Sequence, residues 1–81
     1  MNNEDREKLK KIFLNIFHGI SENTFDFNKD RSMFEDWDSL THMQLLSEVE
    51  STFNVNFEID EVINVNKPED LVILIQKKQN G

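Results

Sequence analysis

Residues 38–53 read DSLTHMQLLSEVESTF, and this stretch decides the fold. Met43, Leu46, Val49 and Phe53 recur at spacings of three and four, the period that lines side chains along one face of an α-helix. Asp38 stands where such a helix needs an N-cap, a short acceptor for the unpaired N–H groups of its first turn. At about 100° per residue the opposite face carries Leu40, Thr41, Gln44, Ser47, Glu48 and Ser51. Leu40 is therefore expected to be apolar yet exposed. Ser39 is expected to open the helix with its hydroxyl toward solvent.

The segment before it, SENTFDFNKDRSMFEDW (21–37), has neither helical nor strand periodicity. Polar turn formers alternate irregularly with Phe25, Phe27, Met33, Phe34 and Trp37, which predicts a long loop pinned by its aromatic side chains. Structureless loops of this length inside a small domain are uncommon and usually functional. Trp37 at the loop's end is expected to plug the core. Upstream, Asn3 is predicted to cap a helix whose first turn carries Glu4 and Asp5 and whose apolar face is Leu9, Ile12, Phe13, Ile16 and Phe17. His18 and Gly19 are expected to stop it near residue 18, with Gly19 left-handed and Ile20 folding back.

Downstream, NVNFEIDEVINVN (54–66) alternates apolar and polar residues at Val55, Phe57 and Ile59, which admits a short strand. Residues 59–63 fit one or two helical turns after Glu58 equally well, and the short helix is the preferred expectation. Asn66 with Glu69 has the spacing of a capping box, Pro68 suits a first helical turn, and Leu71, Leu74 and Ile75 give a last helix its apolar face. The tail QKKQNG (76–81) is expected to fray. No segment repeats, and one Pro and two Gly leave no linker. The expectation is a single all-α domain over 1–81: a four-helix bundle of three long helices and one short, with a long loop between helices one and two.

Composition removes several function classes. Apolar residues make up 37% of the chain and seven are Phe, too hydrophobic for a disordered acidic tail. Without cysteine there is no disulfide and no thiolate metal site. The start, MNNEDREKLKK, lacks the apolar stretch of a secretory signal, and the longest apolar run, Leu71 to Ile75, falls far short of the about 20 residues that cross a bilayer. A cytoplasmic monomer that does not insert into membranes is therefore expected. The net charge of −7 disfavours nucleic acid and anionic lipid as partners. All of the excess lies in the middle, where residues 26–61 hold ten acids and two bases.

Three candidate sites emerge. Asp26, Asn28 and Asp30 match positions 1, 3 and 5 of an EF-hand loop, but Arg31 replaces the required Gly and Trp37 the bidentate Glu, so no metal site is expected. Ser39 and His42, three apart on one helix, form a conceivable nucleophile and base. There is no nucleophile elbow and little volume for a pocket, so no catalytic residue is expected and His42 is read as a helix-surface residue. The third candidate is Ser39 as an attachment point, where a phosphodiester would meet the positive end of the helix dipole. Taken as a dipeptide alone, Asp38-Ser39 is better read as ordinary helix N-caps, the residues helices prefer there, and only the context favours an attachment point.

Asp38-Ser39-Leu40, after a long loop and at the head of an amphipathic helix in a small acidic chain, resembles the acyl carrier protein family. The likeness runs in order along most of the chain, from the helix of Leu9 to Phe17, through Asp38-Ser39-Leu40 and Glu50-Ser51-Thr52-Phe53, to Leu71–Ile75. It implies that Ser39 bears 4′-phosphopantetheine, attached from coenzyme A by a phosphopantetheinyl transferase, with cargo carried as a thioester. It also implies that Asp38, Leu40, Met43, Gln44, Ser47 and Glu50 form the surface that docks acyl-loading and acyl-consuming enzymes. Fatty-acid carriers usually have Gly and an acid where this chain has Asp36 and Gln44. WDSLTHMQLL looks more like stand-alone carriers dedicated to polysaccharide modification or secondary metabolism. The alternative from another class is a small acidic adaptor or inhibitor domain that docks basic proteins without a prosthetic group.

Crowding ten acids into 36 residues should cost stability through self-repulsion. Thermal melts at rising ionic strength are expected to show an increasing Tm with monovalent salt as well as divalent ions; a Tm indifferent to salt would contradict this.

Overall fold

A computed structural model describes residues 1–80 and shows an all-helical chain. Four α-helices, α1 (Asn3–Ile16), α2 (Ser39–Phe53), α3 (Ile59–Val62) and α4 (Pro68–Asn80), are joined by loops, with one 3₁₀ turn over Arg31–Met33. There is no strand among the described residues. No helix there is long and apolar enough to cross a membrane. The helix expected after Glu58 is present as α3.

The cap of α1 is Asn2 rather than Asn3: its Oδ1 accepts from the Asp5 N–H at 2.8 Å, the three-residue reach of an Asx cap. The helix also stops earlier than its apolar pattern implies. Phe17 leaves the helical path with φ −100° and ψ 122°, while its N–H still bonds Phe13 O. That extended backbone places the Phe17 ring against Phe13, Phe34 and Trp37, with centroids 5.6, 5.1 and 5.3 Å away. Gly19 has no positive φ, so the predicted left-handed stop is not used. The left-handed residue is Asn54, at φ 56° and ψ 51°, ending α2. Its short polar side chain tolerates that region, and Val55 N–H reaches back to Glu50 O at 3.1 Å.

The core joins Leu9, Ile12 and Phe13 of α1, Leu45, Leu46, Val49 and Phe53 of α2, and Leu71, Val72 and Ile75 of α4. The most extensive packing between two helices is that of α1 against α2. Leu46, Val49 and Phe53 of the predicted α2 stripe are buried, but Met43 is 60% exposed and the stripe continues instead through Leu45 and His42.

The long loop is held as expected by aromatics, with Phe34 and Trp37 buried and Phe25 and Phe27 half-buried. Met33 departs from that expectation and faces solvent. Two backbone bonds stitch the loop to the far end of the chain: Arg31 N–H to Asn66 O at 2.7 Å, and Glu69 N–H to Phe27 O at 2.8 Å. They supply partners for backbone groups that loop geometry leaves open.

Two expectations for α4 are corrected. Glu69 makes no capping box with Asn66. It pairs instead with Arg6 at 3.2 Å, and Asp70 takes its place, accepting from the Asn66 N–H at 2.9 Å. The predicted fraying tail is helical through Asn80, and Gly81 lies outside the described residues. Lys77 and Lys78, in the last turn, favour the negative helix end.

Phe13 is fully buried and contacts Phe17, Phe25, Phe34 and Trp37. Phe13→Ala is expected to lose about 3–5 kcal/mol, against about 4–12 kcal/mol in total for a chain of 81 residues. Urea denaturation followed by helical circular dichroism and by the single tryptophan checks this.

Candidate functional site

The head of α2 is built by its cap. Asp38 Oδ1 accepts from the Thr41 N–H at 2.9 Å, and Asp38 O accepts from the His42 N–H at 2.8 Å. The Thr41 N–H, with the Thr41 hydroxyl adding, holds the Asp38 carboxyl below its ordinary value of 3.8. Ser39 is thereby the first helical residue, and it is exposed. Behind it, Trp37 is buried in the aromatic cluster as the predicted plug, which fixes where the loop hands over to the helix.

Five of the six predicted docking positions share this exposed end and flank of α2: Asp38, Leu40, Met43, Gln44 and Ser47. Leu40, at 80% exposure, is apolar surface immediately beside Ser39, as its place on the helical wheel requires. Glu50 differs from the other five. It is half-buried, and its Oε2 accepts from the Phe57 N–H at 2.8 Å, which ties α2 to the segment entering α3. Between α2 and α3 lies a groove of ≈ 320 Å³ lined by Met43, Leu46, Ser47, Glu50, Phe57, Ile59 and Val62. Ile59 (80% exposed) adds a second apolar projection at its edge.

His42 is not a surface residue. It is 7% exposed, and both ring nitrogens are engaged. Trp37 Nε1–H donates to Nδ1 at 2.8 Å, and Nε2 stands 2.8 Å from Val62 O. Neither nitrogen is left to take a proton from Ser39, so the pair does not form a nucleophile and base. A period shifted by one residue would have pointed His42 inward, and a buried His three residues after Ser39 is the signal sequence reasoning missed.

The carboxylates of the partial EF-hand serve the loop itself. Asp26 Oδ1 accepts from the Asn28 N–H at 2.8 Å, and Asp30 Oδ2 accepts from the Ser32 N–H and hydroxyl. The Ser32 hydroxyl and N–H hold the Asp30 carboxyl below its usual range. Among the described residues no group of three or more acids and histidines is placed to hold a metal. In comparison with known proteins, no family model, curated protein or solved structure matches the chain.

A lowered Asp38 value means that the ionised cap stabilises the fold above pH 3.8 and that this contribution is lost as pH falls through and below that value. Asp38→Asn keeps an acceptor and should flatten this part of the acid dependence, whereas Asp38→Ala should lower Tm even at neutral pH. Thermal melts of the three proteins from neutral into the carboxylate range check both outcomes.

Proposed function

We propose that the chain is a carrier protein of the acyl carrier type, which bears cargo on a 4′-phosphopantetheine arm at Ser39 and has no catalytic residue of its own. The observation that carries this reading is an exposed serine at the first residue of α2, within Asp38-Ser39-Leu40 and directly after a loop pinned by Trp37. The four helices would then form the carrier-type bundle. When attached, the arm supplies the thiol that holds an acyl group as a thioester, which a chain without cysteine cannot supply itself.

The residues present fit such a group. Ser39 is open to a visiting transferase, and the first turn of a 15-residue helix favours the anionic phosphodiester. Leu40 and Met43 offer apolar contact to partners, and the surrounding acids steer the domain toward Lys and Arg patches in fast, weak encounters. The partners come in turn: a phosphopantetheinyl transferase, an acyl-loading ligase or transferase, and an acyl-consuming synthase or transferase. Asp36 and Gln44 favour a pathway-dedicated carrier in the cytoplasm over a housekeeping one. The acids that lack cationic partners also suit an adaptor that docks basic proteins with no prosthetic group.

Incubation with coenzyme A and a broad-specificity phosphopantetheinyl transferase is expected to add one arm by intact mass, and Ser39→Ala to add none. Wild type that gains no arm, while still folded by circular dichroism, would favour the adaptor.

A further inference from the structure

The helix α3 has four residues and no buried side chain of its own. Ile59 and Ile63 point to solvent, and Val62 is only half-buried. Within α3 itself apolar burial is limited to Val62, which packs against the core, while the flanking Val55 and Val65 are the buried anchors of the segment. Polar ties hold it: Glu61 bonds to Lys78 at 2.8 Å, Glu50 holds the entering Phe57 N–H, and His42 reaches Val62 O. Only the last starts from inside the core.

That last tie depends on where one proton sits. An indole N–H can only donate and a carbonyl oxygen can only accept. With Trp37 donating to Nδ1, the ring must carry its proton on Nε2, and only then can it donate to Val62 O. The opposite tautomer would set N–H against N–H at Trp37 and lone pair against lone pair at Val62. The buried, stacked Trp37 thus selects the form of His42 that binds α3.

We propose that Trp37 locks the tautomer of His42 and that the locked ring latches α3 onto α2, making His42 a positioning residue for the groove that begins at Met43, one helical turn from Ser39. Val62 and Ile59 form the α3 wall of that groove, so the latch sets its width. Because Trp37 lies two residues before Ser39, the end of the loop and the groove wall are held through one ring. The latch belongs to the chain itself and rests on the carrier reading only for the use made of the groove.

The test uses the unmodified full chain, ¹⁵N-labelled. Imidazole nitrogen NMR is expected to show His42 protonated at Nε2 and unprotonated at Nδ1. Trp37→Phe, which keeps an aromatic ring but removes the donor, leaves only Val62 O to favour the Nε2–H form and should let a measurable fraction of the other tautomer appear. It should also speed amide exchange of Val62 and Ile63 about two- to tenfold, the worth of one hydrogen bond. His42→Gln can still reach Val62 O and should protect α3 better than His42→Asn, which can satisfy only Trp37. An Nδ1-protonated ring in the wild type would overturn the proposal without any variant. So would a Trp37→Phe protein with unchanged tautomer and exchange, or equal loosening by Gln and Asn. Modification of Ser39 is read separately by mass, so the latch and the carrier reading fail independently.

Discussion

Burial of Trp37 against Phe13, Phe17 and Phe34 is the constraint from which the site follows. A loop of some twenty residues has no ladder of its own to fix its end, and ordering it opposes a large conformational entropy. The ring cluster supplies the compensating apolar burial at the point where the chain must turn into α2. Asp38 can then cap, and Ser39 falls on the first turn with its side chain outward. Were the same cap reached by an unanchored loop, the hydroxyl would be exposed but not held at a defined position.

The same cluster explains how charge is distributed. Residues 26–61 contain only two bases, and both lie over aromatic faces: Lys29 over Phe34 at 5.5 Å and Arg31 over Trp37 at 5.6 Å. The ion pairs among the described residues join Arg6 to Glu69, Lys10 to Glu22, and Lys77 and Lys78 to Glu61. Every base in these pairs comes from α1 or α4. The acids around the head of α2 face water without a cationic partner from their own chain. Surface pairs of this kind add little stability, so the separation matters more for the field that a partner meets.

Much of the helical layout was legible because apolar period and cap residues agree: α2 with Asp38, α4 with Pro68 and Leu71, and the exposure of Leu40 all follow from spacing. Errors of one residue arose where two neighbours could serve equally, Asn2 or Asn3 as a cap and Met43 or His42 on the inner face. Ring packing overrode the helical period at Phe17, because a helical continuation competes with a pocket shared by three other aromatics. The tail stayed helical where composition suggested fraying, since Lys77 and Lys78 complement the helix end and also reach Glu61 on α3. Long-range pairings such as Arg6 with Glu69 and His42 with Val62 leave no trace in local pattern. They form only when segments 63 and 20 residues apart meet.

The head of α2 therefore lies between two kinds of order. On one side is close-packed apolar material, where a shift of any ring is costly because no space exists to receive it. On the other is α3, whose own residues are held mainly by hydrogen bonds and ion pairs of small net worth, with Val62 and the following Val65 as its apolar contacts to the core. On the carrier reading proposed above, such a division would be useful: an attachment point would need a fixed origin so that successive enzymes find the same hydroxyl, while the groove that starts one turn away at Met43 would have to adjust to each partner or cargo. The two parts meet at the buried His42, whose two nitrogens face one part each.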